Sequence, residues 1–181
     1  MCKIIYLAAG RAVLNHDHVV YNDYKERRDL VCDMMTVDLS AFDVLIATPP
    51  CNYYSRANHV RETSTYAQQT RHLLPNIIDK FIKTGKPFLV ENVRNEPLFK
   101  KLGLYNKSCL IYKHGRHTYW TNVPFNPQGI KQMFDFKQIP GYGCVRLRSY
   151  VQGGENVNNV IDYFIDVVKE TVLKETISHE N

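Results

Sequence analysis

Apolar residues fall into short, strand-length runs in the first half of the chain, and into helix-spaced stripes between and after them. Ile4-Ile5-Tyr6-Leu7-Ala8-Ala9 is an apolar run closed by Gly10. It is too short for a stable helix and rich in β-formers, which predicts a first strand. His18-Val19-Val20-Tyr21 followed by Asn22-Asp23 predicts a second strand that ends in an acid, and Asp29-Leu30-Val31-Cys32-Asp33 a short third. Asp43 opens Val44-Leu45-Ile46-Ala47, a buried strand stopped by Thr48-Pro49-Pro50, because prolines cannot continue a central ladder. Gly85-Lys86-Pro87 leads into another buried run, Phe88-Leu89-Val90, which ends on Glu91-Asn92-Val93.

Helical periodicity is clearest at Leu73, Leu74, Ile77, Ile78, Phe81 and Ile82, with Ser64 or Thr65 as the cap and Gly85 as the stop. Pro75 predicts a kink or a break in it. Asn95 to Leu102 read as a short helix ended by Gly103. Val157, Val160, Ile161, Phe164, Val168 and Val172 predict a final helix from Val157 through Leu173, followed by a polar tail from Lys174. Strands alternating with helices predict an α/β fold with a Rossmann-like sheet, in one domain over residues 1–173. Strands that finish on acids suit a sheet that binds a nucleoside at its carboxyl ends.

Two strand ends carry candidate chemistry. Cys51 follows Pro49-Pro50 on a stiff loop, the setting in which a nucleophile can be aimed. The plainer alternative is a buried, inert cysteine in a tight turn. Glu91 and Asn92 stand at the end of the other strand, so a thiol and a carboxylate are candidates for one site. The segment Arg56-Ala57-Asn58-His59-Val60-Arg61 either closes over a substrate, lies against phosphates or is a solvated loop.

Pro49-Pro50-Cys51 with Ser55, then Glu91-Asn92-Val93 some forty residues on, resembles the catalytic core of the DNA cytosine-5 methyltransferases. The resemblance implies that Cys51 adds to carbon 6 of a flipped-out cytosine while Glu91 holds ring nitrogen 3. Carbon 5 then takes the methyl group of S-adenosylmethionine. This is chemically sensible, since carbon 5 becomes nucleophilic only when a thiolate has added next door and the ring nitrogen is protonated or hydrogen-bonded.

Lys113-His114-Gly115-Arg116-His117-Thr118-Tyr119-Trp120-Thr121-Asn122-Val123-Pro124 is similar to the family segment that supplies an arginine to the cytosine ring oxygen. It implies Arg116 in that role, with His117 as the alternative. By the same resemblance Asn92 and Arg116 fix the ring, and Pro50, Ser55 and Arg56 face the substrate. Asp23 at the ribose hydroxyls and Asp33 at the adenine amino group would face S-adenosylmethionine, unless both acids merely cap helices or turns, and around it would also stand Leu7, Gly10, Pro49 and Asn156. The last comes from Gln152-Gly153-Gly154-Glu155-Asn156-Val157, which is similar to the family's closing Gly-Asn-x-Val motif. Burial of Glu91 would favour the protonated carboxyl that this chemistry needs.

The chain departs from the family at the first turn. Tyr6-Leu7-Ala8-Ala9-Gly10-Arg11-Ala12 stands where the family has Asp-Leu-Phe-x-Gly-x-Gly. Arg11 to Asp17 leave room for at most about two helical turns before the next strand. Asn126 to Val151, with Lys131, Lys137, Arg146 and Arg148, is too short for a separate recognition domain and reads as a reduced, DNA-facing loop region. A second reading follows from these departures. In it, a degenerate methyltransferase fold binds DNA or a partner protein, or forms one half of a two-chain enzyme whose other chain supplies target recognition.

Composition narrows this little. The net charge of +5 permits a nucleic-acid partner without demanding one. No apolar run approaches the length of a membrane span. Cys2, Cys32, Cys51, Cys109 and Cys144 are odd in number and lack Cys-x-x-Cys spacing. That argues against a disulfide framework and a zinc site, and predicts a reducing, cytoplasmic setting. His114 and His117 lack neighbouring metal-ligand partners in sequence, so no metal is expected.

Overall fold

The computed structural model describes residues 1–130, 137–139, 143–145 and 149–178. Its core is a seven-stranded, mostly parallel sheet, and the fold is α/β. In chain order come β1 (Ile4–Leu7), β2 (Val19–Asp23), β3 (Leu30–Val31) and β4 (Val44–Ala47). They are followed by α1 (Thr65–Thr70), α2 (Leu73–Thr84), β5 (Phe88–Val93), α3 (Glu96–Lys101), β6 (Leu110–His114) and β7 (His117–Thr121). A two-stranded ribbon of β8 (Lys137–Ile139) and β9 (Gly143–Val145) precedes α4 (Ser149–Ser178).

The strand order is β3-β2-β1-β4-β5-β7-β6, with β7 antiparallel to both of its neighbours. The first five positions follow the doubly wound order, which reverses between β1 and β4. The carboxyl ends of those two strands therefore flank the crevice where such sheets take ligands.

β1 and β4 are fully buried and read as continuous apolar runs, as central parallel strands must. On one face Leu74, Ile77, Ile78 and Phe81 of α2 pack on Ile5, Leu7, Leu45, Ala47, Phe88 and Val90. On the other, Val157, Val160, Ile161, Phe164 and Val168 of α4 pack on Ile4, Tyr6, Val44, Ile46, Leu89 and Tyr119.

Several expectations are met in detail. Ser64 caps α1, its hydroxyl accepting from the Ala67 N–H at 3.3 Å. The helix begun at Ser64 is interrupted at Arg71-His72, ahead of the apolar stripe, which puts Pro75 in the first turn of α2, where no intrahelical donor is missed. Gly85 ends α2 in the left-handed region at φ 69°.

The expected shortening of the first connection is complete, and the bounds of the final helix are corrected. Residues 8–18, between β1 and β2, contain no helix at all; they run as turns, with Ala8 at φ 53° and Gly10 at φ 56°. Leu14 from this connection is buried under α4, and Asp162 of α4 accepts from both the backbone and side-chain N–H groups of Asn15, each at 3.0 Å. A loop pinned to the last helix thus fills the connection that leaves room for at most about two helical turns.

The final helix is longer than Val157 to Leu173. It starts at Ser149 and runs to Ser178, so Gly153-Gly154 and the backbone of Asn156 lie inside it, and the predicted tail begins as helix. Glycine weakens a helix by roughly 1 kcal/mol without removing a hydrogen bond, which allows this. The aromatic strand β7 has a partner that sequence reading did not foresee, β6, joined to it through Gly115-Arg116. Of the proposed recognition region, residues 131–136, 140–142 and 146–148, with Lys131, Arg146 and Arg148, lie outside the described residues. Among the described residues no helix is long and apolar enough to cross a membrane.

If α4 carries the face that the missing first helix would cover, its central aromatic matters as much as any sheet residue. Phe164→Ala is expected to lower unfolding free energy by about 3–5 kcal/mol. Urea denaturation checks it, and a loss under about 1 kcal/mol would show that the helix is only loosely docked.

Candidate functional site

The site is built where β4, β5 and β7 end near one another. β4 pairs in parallel with β5 as far as Ala47 and Val90, so Thr48 and Glu91 leave the ladder at the same level. The loop from Thr48 to Cys51 then crosses the strand ends. Thr48 anchors its start: the backbone N–H bonds to the Leu7 carbonyl at 3.1 Å, and the hydroxyl donates to the Ala8 carbonyl at 2.9 Å.

Asn92 anchors its middle. The side-chain amide, 1 % exposed, donates to the Pro49 carbonyl at 2.9 Å. With Pro49 buried and Pro50 half-buried, the loop has little freedom. The Cys51 carbonyl accepts from Tyr54 and Ser55 N–H groups at 3.0 and 2.8 Å, closing a tight turn under the half-buried Cys51. Asn95 fastens the far side, donating to the Tyr54 carbonyl at 2.7 Å.

Glu91 faces the α4 side of the sheet at its carboxyl end and is 8 % exposed. Its carboxylate is hydrogen-bonded through Oε1 to Nδ1 of His117. The register explains the contact: Val93 pairs with His117 and Glu91 with Tyr119, so His117 lies diagonally across from Glu91 on the same face. Burial pulls the His117 imidazole toward neutrality, but the Glu91 charge and hydrogen bond outweigh it. Its pKa is raised from the usual 6.5. Tyr6 and Tyr119 complete the surroundings; burial, reinforced by the Glu91 charge, raises both phenol pKa values and keeps them protonated.

The expected residues separate into groups. Pro49, Pro50 and Cys51 lie on the loop that leaves β4, and Glu91 and His117 pair at the neighbouring ends of β5 and β7. Asn92, on the opposite face of β5 from Glu91, holds the loop through the Pro49 carbonyl. Arg116, the expected ring-oxygen contact, sits exposed in the β6–β7 turn, one position short of the face that meets Glu91; His117 occupies that face. Ser55, Arg56 and Arg116 line an adjoining cleft of about 870 Å³ with Arg94 and Lys100.

Around the first turn the picture is mixed. Leu7 is fully buried in the core, with no side-chain surface left for a ligand. At Gly10 nothing lies within 4 Å of where a Cβ would stand, so the ground above the turn is open. Asp23 accepts from the N–H groups of Gly10, Lys25 and Glu26 at 2.9, 2.8 and 2.9 Å. Partial burial raises its pKa, but these three donors prevail and lower it overall. Asp33 caps a 3-10 turn through the Met35 N–H at 2.8 Å. Both acids therefore serve the backbone. The Asn156 side chain lies outside the described residues. Among those residues no cluster of three or more His, Cys, Asp or Glu is arranged to hold a metal.

Thr48, Tyr6 and Tyr119 escaped sequence reading. Tyr6 drew notice only as a departure from a family acid, and the others are ordinary strand residues until the sheet order is known. No protein-family model, curated protein or solved structure matches the chain.

Because folding raises the His117 pKa, the folded chain holds that proton more tightly than the unfolded one. The pair's contribution is complete below the ordinary value of 6.5 and is lost as pH rises through the raised value. The melting-temperature gap between wild type and Glu91→Gln should be widest near about pH 6 and narrow as pH rises. A gap independent of pH would contradict the pairing.

Proposed function

We propose that the chain transfers a methyl group to carbon 5 of cytosine in DNA, with Cys51 as the covalent nucleophile. The observation that carries this reading is the Asn92–Pro49 hydrogen bond. It ties the thiol-bearing loop to the strand that carries Glu91, so nucleophile and acid move as one unit.

In this reading the Cys51 thiolate adds to carbon 6 of the ring. Negative charge builds toward nitrogen 3, where Glu91 passes on a proton that His117 replenishes through Nδ1. Carbon 5 takes the methyl group, solvent water accepts the carbon 5 proton, the C–S electron pair returns to sulfur as thiolate, and nitrogen 3 gives its proton back to the Glu91 carboxylate. The base must be flipped from a duplex or lie in a single strand to reach this depth.

S-adenosylmethionine, when bound, supplies the electrophilic methyl group. The open ground above Gly10 and the charged Asp23 fit a nucleoside in reduced form. A carboxylate offers about four acceptor positions; three N–H groups occupy Asp23, which leaves room for one hydroxyl. Asp33 keeps one oxygen for an amino group.

A second reading is favoured by the helix-free connection at residues 8–18, which brings no helix N-terminus to the turn. In it the fold binds DNA or a partner chain and does not methylate alone.

Two measurements separate the readings. Cys51→Ala is expected to fold normally and lose methyl transfer to DNA at least about a thousandfold; unchanged transfer would sink the nucleophile assignment. Calorimetric titration of the wild-type chain with S-adenosylmethionine should show binding in the micromolar range, and a folded protein that binds none would favour the second reading.

A further inference from the structure

Beside the thiol lies a trough that the proposed chemistry does not use. It is made of two cavities, of about 870 and 370 Å³, that share Arg56 and Pro97. One wall is the turn segment after Cys51, from Ser55 to Arg61; the other is α3 with the residues that lead into it. Arg56, Arg94, Lys100 and Arg116 line the larger part, and Arg61 and Lys101 extend the smaller.

Against these six cations stands one lining carboxylate, Glu96, already engaged by Arg94 and by Lys113 at 3.2 Å. Arg56, Lys100 and Lys101 are exposed and make no ion pair among the described residues. Arg61 is pre-positioned: its Nε donates to the Asn58 carbonyl at 3.2 Å and an Nη to the Ser55 carbonyl at 3.0 Å. Two or three of its five donors remain for an anion. Such a concentration of one charge sign in a concave surface draws in a polyanion.

We propose that this trough holds the sugar-phosphate backbone of a single nucleic-acid strand beside the target base. The inference rests on the reading of Cys51 as a base-attacking nucleophile. The walls adjoin that site on three sides: Ser55 follows the Cys51 turn, Val93 follows Glu91 and Asn92, and Arg116 precedes His117. A base held at Cys51 must bring its phosphates somewhere, and this is the adjacent cationic surface. The two cavities together have room for a few nucleotide units of one chain. No aromatic side chain lines either cavity, so recognition is by phosphate, without stacking and without sequence preference.

The test uses the full chain and a fluorescent 15-residue oligothymidylate, which contains no cytosine, with no methyl donor present. Wild type should bind, with log affinity falling against log salt at about −0.7 per phosphate contacted. The double variant Lys100→Glu/Lys101→Glu should bind at least about tenfold more weakly with a shallower salt slope, and the milder Lys100→Ala about threefold more weakly. Lys83→Glu, exposed in the last turn of α2 near the amino end of β5 and away from the carboxyl ends that border the trough, should leave affinity unchanged.

Absence of binding by wild type, equal losses from Lys83→Glu, or stronger competition by a duplex of the same length would overturn the proposal. Normal methyl transfer by the Lys100→Glu/Lys101→Glu variant with unaltered strand affinity would also remove the trough, while leaving Cys51 chemistry in place.

Discussion

The amide of Asn92 joins the two strand ends on which the site depends. Buried and donating to the Pro49 carbonyl, it fixes a loop that two prolines have already stiffened. An unmade hydrogen bond at such depth costs roughly 1–3 kcal/mol, so the loop and β5 are held in one arrangement. Thr48 does the same on the β1 side through the Leu7 and Ala8 carbonyls. The thiol is thus referenced to three neighbouring strands. Such anchoring is the geometric condition that the proposed covalent chemistry requires.

The first connection shows how the fold tolerates what the chain lacks. A parallel pair usually needs a helix to cross between its strands. Here a turn-rich segment crosses, and α4 supplies the apolar cover on that face through Val160, Ile161, Phe164 and Val168. Asp23 stabilises the segment by accepting the Gly10 N–H. The same carboxylate is a candidate nucleoside ligand, so architecture and ligand compete for one group. This competition is the physical root of the two functional readings.

The strand ends were readable from the chain because buried parallel strands are short apolar runs, and Gly10, Asp23, Pro49-Pro50 and Glu91 interrupt them sharply. The helix break near Pro75 and the stop at Gly85 were readable for the same local reasons. β6 was not, because an edge strand with an exposed Leu110 carries neither alternation nor a continuous apolar run. The choice between Arg116 and His117 depended on register. Gly115-Arg116 forms the two-residue link between β6 and β7, which places His117 with Tyr119 on the Glu91 face. That hairpin was the signal available, and it becomes visible only once β6 is recognised. The partner of Asn92 was beyond local sequence, since it lies 43 positions away across a parallel pair.

In the proposed function Cys51 forms a bond to carbon 6 of cytosine. That step is tested most directly by intact-mass analysis of the protein after incubation with S-adenosylmethionine and a DNA strand carrying 5-fluorocytosine. Fluorine at carbon 5 cannot leave as the proton does, so the thioether formed during methyl transfer persists. The expected product is a covalent protein–DNA species, methylated and mapped to Cys51. Methylated DNA with no adduct, or an adduct at another residue, would contradict it.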